Sequence, residues 1–136
     1  MSLLSARYDF VCSVGSDCGC AWHLIKNRLR LASYPLDWVG TELIGIEGVA
    51  ALIARDFKGF FDPENLERNP NPQRGPMDDH KHDYYFDRGA GIIAVHDFPT
   101  GVPLDDSYPA VKAKYDRRID RFYRTIRASR RVLLVY

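Results

Sequence analysis

Two kinds of apolar pattern alternate along the 136 residues: short continuous blocks, and stretches where apolar positions recur every three or four residues. The first block, Phe10, Val11, Cys12 and Val14, is too short for a lone helix and is closed by Gly15, which predicts a short buried strand. Ser16 and Asp17 are both good caps, so a helix is expected to begin near Cys18. Ala21, Trp22, Leu24, Ile25 and Leu29 give that helix its apolar stripe. Ser33 to Gly40 reads as a turn-rich connection carrying Pro35, Asp37 and Trp38. Ile46, Val49, Ala50, Ile53, Phe57 and Phe60 then recur at helical spacing, and Pro63 ends this second helix.

From Asp62 to about Asp83 the pattern fails. Pro63, Pro70, Pro72, Gly75 and Pro76 punctuate a polar stretch, and a loop that long inside a domain is usually functional or mobile. Tyr84-Tyr85-Phe86 and Ile92 to His96 predict two strands joined by Asp87-Arg88-Gly89-Ala90-Gly91 as a hairpin. A further loop runs from Pro99 to Asp106, with Asp105, Asp106 and Ser107 as expected caps. Val111, Tyr115, Ile119, Phe122 and Ile126 mark a third helix. Val132-Leu133-Leu134-Val135-Tyr136 is a final strand. The expected fold is α/β: one domain over residues 1–136, a mixed, partly parallel sheet with one hairpin, and about three flanking helices. The chain stops on a buried strand with nothing to cover it, which reads as truncation at the C-terminus of a longer domain.

Composition narrows the class. The net charge of +1 gives no global reason to expect a nucleic-acid or membrane partner. No run approaches the roughly 20 apolar residues of a membrane span, and the N-terminus lacks the pattern of a secretory leader. Cys12, Cys18 and Cys20 are an odd number crowded into nine residues, which is no disulfide framework and suits the cytoplasm.

Cys18 is the leading chemical candidate. In the first turn of a helix, free N–H groups and the helix dipole favour a thiolate. Cys12 lies within a strand as a small hydrophobe, and Cys20, about 200° around the helix from Cys18, is expected to pack. His96 ends an apolar strand, a place where catalytic groups gather in α/β folds, and it could deprotonate Cys18. Asp97 is a poor partner for it, since successive strand residues face opposite ways. Asp37 is the better orienting residue, with an Asx turn or loop cap as its structural alternative. The Cys18 N–H and its neighbours Ser16, Asp17 and Gly19 offer the oxyanion turn, with Asp17 expected to serve as the cap.

The motifs Val14-Gly15-Ser16-Asp17-Cys18, Ala21-Trp22-His23-Leu24, Leu29-Arg30 and Tyr34-Pro35-Leu36-Asp37-Trp38 resemble a bacterial family described as papain-like cysteine peptidases, of the DUF1796 type. Asp56-Phe57, His96-Asp97-Phe98 and the stretch around Lys114-Tyr115-Arg117-Arg118 fit the same pattern, so the resemblance covers most of the chain. It implies a cysteine nucleophile followed in sequence by its histidine. Leu36 stands where that motif carries Phe, a packing change. In papain-like order a third residue follows the histidine strand, and here that position would lie beyond Tyr136.

The function expected is therefore a cysteine hydrolase or peptidase, acting on a small-molecule or peptide substrate without a cofactor. Two alternatives stand beside it. The turn at 14–19 could bind an anionic or phosphate-bearing ligand in a non-enzymatic module, although only Gly15 and Gly19 loosen it. A metal-dependent hydrolase could instead use His80, His82 and His96 from the cluster Asp78-Asp79-His80-Lys81-His82-Asp83, which otherwise reads as solvated loop or as a lid over Cys18. Nine Lys or Arg residues lie between Lys112 and Arg131, and the expected reading is a solvated helix face with no nucleic-acid partner.

Overall fold

A computed structural model describes residues 7–76 and 78–136. Residues 1–6, on which the expectation of a missing leader rests, and Met77 within the irregular stretch lie outside them. In chain order the elements are β1 (Phe10–Ser13), α1 (Cys18–Lys26), β2 (Val39–Gly40), α2 (Gly45–Ala54), a single 3₁₀ turn (Pro63–Asn65), β3 (Leu66–Asn69), β4 (His82–Asp87), β5 (Ile92–Pro99), α3 (Leu104–Ala128) and β6 (Val132–Val135).

The fold is mixed α/β, with three helices among the described residues. Its parallel and antiparallel strands do not share the one sheet expected. β1 and β6 form a parallel pair, while β2-β5-β4-β3 is an antiparallel sheet in that order. The hairpin β4–β5 closes locally, whereas the parallel pair must wait for α3 to carry the chain back to β1.

The hairpin turn is fixed by Asp87. Its buried carboxylate accepts the N–H groups of Phe61, Gly89 and Ala90 at 2.7, 2.9 and 3.1 Å. β3 lies in the stretch read as irregular, because a sequence of Leu-Glu-Arg-Asn has almost no apolar pattern. It forms by edge pairing with β4, and Arg68 holds Asp83 there through two bonds of 3.1 and 3.2 Å.

α2 ends at Ala54, earlier than the spacing predicts. Asp56 and Phe57 take φ of +55°, so the chain turns out of the helix and drops Phe57, Phe60 and Phe61 into the core from successive turns. Its buried face is Val49 and Leu52, with Ile46 exposed. α3 starts at Leu104 after Pro103, which puts Asp105, Asp106 and Ser107 inside the first turn instead of at the cap. Its buried residues Ser107, Val111, Tyr115 and Phe122 lie on one face. Tyr115 stacks on Phe61 with ring centroids 4.2 Å apart, and its buried hydroxyl donates to Asp97 at 2.8 Å.

Candidate active site

The turn that carries Cys18 is held from three sides. The β1 ladder continues into it, since the Val14 N–H donates to the Val135 carbonyl at 2.8 Å. Gly15 has φ of +154°, and a Cβ there would sit 2.5 Å from both Thr41 Oγ1 and the Tyr136 ring. The Thr41 N–H donates to the Ser16 carbonyl at 2.7 Å. Asp17 then caps α1, its carboxylate accepting the Gly19 N–H at 2.7 Å, and Cys18 is the first helical residue. The cap expected from sequence is thus the cap observed. Trp22, four residues on, shares the Cys18 face of the helix. Cys20 points elsewhere and donates its S–H to the Val135 carbonyl at 3.3 Å.

Cys18 and His96 line one cleft of about 390 Å³, together with Asp17, Asp78 and Tyr84. His96 is exposed on β5, and the next residue, Asp97, is buried on the opposite side, bonded to Tyr115 and Lys114. Trp38 meets His96 edge to face at 6.4 Å between ring centroids, and His82 does so at the same separation. Arg30 lies over the Trp38 ring at 5.0 Å. Asp37 is only 1% exposed and accepts from Arg30 Nε at 3.1 Å and from the Tyr34 N–H at 2.8 Å. Its other oxygen, Oδ1, is buried without a protein partner.

Burial pushes the Cys18 thiol up to about 11, and the Asp17 carboxylate adds to the shift. Asp97 and Glu42 act in the same direction, while the Cys18 backbone N–H opposes them. The thiolate expected from the helix start is therefore not the resting state. The capping carboxylate that starts the helix also works against the dipole that would lower the thiol. Cys12, buried in β1, is pushed further up by burial.

Gly75, Pro76 and Asp78, from the stretch before β4, line this cleft. Arg74 bonds Asp78 at 2.9 Å and the His82 carbonyl at 3.0 Å, and the Tyr84 hydroxyl donates to Asp78 at 2.6 Å. The Tyr84 bond, with help from His80 N–H and Arg74, holds the Asp78 carboxyl down at about 2. His80 is exposed, its N–H donating to Asp78 Oδ1 at 2.7 Å, and His82 Nδ1 stands 3.7 Å from Asp79. Among the described residues, no group of three or more His, Cys, Asp or Glu side chains converges as metal ligands would.

The family model described as "Putative papain-like cysteine peptidase (DUF1796)" matches residues 9–135, a span that takes in every element above. The chain belongs to that family. A relative in Acanthamoeba polyphaga mimivirus, an uncharacterized protein, is 30% identical over 133 residues, covering 90% of this chain. The chain spans 59% of that relative's length. That relative is viral, and these matches do not place the chain in a bacterial branch of the family. No solved structure matches the chain significantly.

In this family member part of the basic stretch of α3 is engaged in ion pairs and hydrogen bonds. Lys112 pairs with Asp116 at 2.6 Å, Arg124 with Asp120 at 2.8 Å, and Lys114 with Asp97. Arg121 donates to the Ser33 carbonyl at 2.8 Å. Among the described residues, no helix is long and apolar enough to cross a membrane. Sequence reasoning passed over Trp38, Tyr84 and Glu42 as site residues. Trp38 had a signal, since it closes the Tyr34–Trp38 motif. Tyr84 and Glu42 had none, because only the antiparallel sheet brings them beside Cys18.

Proposed function

We propose that this chain is a cysteine hydrolase that works by acyl transfer through a thioester, with Cys18 as nucleophile and His96 as base and acid. The reading is carried by the shared cleft: Cys18 at a helix start and His96 on a neighbouring strand line the same space of about 390 Å³. Membership in a family described as papain-like cysteine peptidases supports it. Because the thiol rests protonated, His96 has to take the Sγ proton as the substrate carbonyl is attacked. The S–C bond forms, the C–N or C–O bond breaks, and the imidazolium returns the proton to the leaving group. Water then attacks the thioester, releasing a carboxylic acid and restoring the thiol.

The Gly19 N–H is already bonded to Asp17, so oxyanion stabilisation falls to the Cys18 N–H at the same helix start. Ser16 and Asp17 hold the turn. Asp37 serves as the orienting residue at a distance, through Arg30 and Trp38. Asp17 and Glu42 give Cys18 negative neighbours, which opposes an anionic ligand at the 14–19 turn. Three free cysteines fit a cytoplasmic setting. The test is acylation of Cys18 by an activated ester in the wild type and in His96→Ala.

A further inference from the structure

Cys18 stands where three clefts meet, and the three differ in chemistry. One, of about 360 Å³, is walled by Trp22 and Trp38 beside Gly19. A second, of about 380 Å³, is lined by Asp17, Glu42, Asn69, Asn71 and Gln73 among others. The third is the His96 cleft, which also contains Asp17 and Asp78. Among the described residues, no Lys or Arg lines any of them.

The carboxylates are not equivalent. Asp78 is compensated by Arg74. Among the described residues, Asp17 accepts only a backbone N–H and Glu42 has no cation within ion-pair distance. The tryptophan cleft has the opposite character. Tryptophan faces attract cations, and positive charge already sits beside both rings: Lys26 lies 5.5 Å over Trp22 and Arg30 lies 5.0 Å over Trp38. A second positive charge there would meet like charge, so that cleft suits an uncharged apolar group.

We propose that the substrate is an amide joining an apolar, aromatic-sized acyl group to a cationic amine, with the acyl group against Trp22 and Trp38 and the amine running past His96 toward Asp17 and Glu42. The assignment of which end leaves rests on the Cys18–His96 reading. The acid that protonates the departing amine must lie on the amine's side, and His96 lies on the carboxylate side. Acylated diamines, and peptides with a basic residue after the scissile bond, share this chemistry.

The experiment separates this inference from catalysis by removing the thiol. The Cys18→Ala protein is titrated with phenylacetylputrescine, neutral N-butylphenylacetamide and anionic phenylacetyl-γ-aminobutyrate. Binding is followed by tryptophan fluorescence, and both of the chain's tryptophans wall the apolar cleft. The cationic probe should bind about tenfold more tightly than the anionic one, a gap that screened Coulomb attraction to one or two carboxylates can supply. Adding Glu42→Gln should shrink that ratio by about threefold, and adding Trp22→Ala should weaken all three probes alike. Equal affinities, a ratio unmoved by Glu42→Gln, or no saturable binding would each overturn the proposal. A failed Cys18–His96 pair would show instead in the acylation kinetics of the intact thiol, which this titration does not touch.

Discussion

Trp38 stands edge-on to His96, with ring planes at 86° and centroids 6.4 Å apart. His82 approaches the same imidazole at 82° and 6.4 Å. The exposed His96 thus has two aromatic neighbours, each with its ring plane nearly perpendicular to the imidazole. Behind Trp38, Arg30 covers the indole and Asp37 holds Arg30. The Asp37 carboxylate is thus coupled to the histidine through two intervening side chains, and among the described hydrogen bonds it makes none to His96.

Replacing Trp38 by Leu removes the ring edge while keeping an apolar side chain. Acylation of Cys18 at neutral pH should then fall by about three- to tenfold, a loss of orientation worth roughly 1 kcal/mol. The thiol's own titration, read by alkylation at high pH, should stay where it is. An unchanged acylation rate would show that His96 does not depend on Trp38 for its placement.

The Cys18 thiol, raised to about 11, sets a pH signature. Iodoacetamide should modify Cys18 with a midpoint well above the ordinary thiol value of 9.0, and Asp17→Asn should bring that midpoint down by removing the carboxylate that adds most to the shift. The folded chain holds this proton more tightly than the unfolded chain does. Its contribution to stability is therefore fully present below the ordinary value of 9.0 and lost as pH rises from there through about 11. Denaturant titrations should show a steeper loss over that window in the wild type than in Cys18→Ala.

Gly15→Ala should destabilise the fold by about 1–3 kcal/mol, the ordinary range for overpacking. The new Cβ would meet Thr41 Oγ1 and the Tyr136 ring at 2.5 Å, in a backbone conformation that L side chains rarely adopt. Chemical denaturation measures it. A loss within error would mean that the turn yields easily, and that Cys18 is held less firmly than the contacts imply.

Asp37→Ala should cost about 3–5 kcal/mol, because it leaves Arg30 largely buried without its partner and strips the Tyr34 N–H of its acceptor. Asp37→Asn keeps an acceptor for Tyr34 and should cost less. Comparing Tm and acylation rate in the two variants separates a loss of fold from a loss of histidine placement.

Much of this was legible in the chain itself. The strand-cap-helix around Cys18, the hairpin and the three helices all follow from local pattern, because each is built from contacts a few residues apart. β3 was not legible, since a polar edge strand is specified by its neighbour β4 and not by its own residues. The early end of α2 was hidden for a related reason: Phe57 and Phe60 keep helical spacing, yet core packing draws them into successive turns. The state of the Cys18 thiol is not legible in the sequence because burial, its largest cause, comes from tertiary packing, with nearby carboxylates adding to it. Asp17 caps the helix while its charge opposes the dipole, and Glu42 and Asp97 arrive from distant parts of the sequence.

The central claim is that His96 activates Cys18, and acylation by p-nitrophenyl acetate tests it most directly. The nitrophenolate leaves without protonation, so the rate of acetyl transfer to Cys18, followed by mass spectrometry against pH, reads the base alone. The account predicts rapid acylation already at neutral pH in the wild type. In His96→Ala the rate at pH ~7 should fall by at least about 100-fold and recover only as pH approaches the thiol's own high value. Superimposable profiles for the two proteins would contradict the pairing of Cys18 with His96.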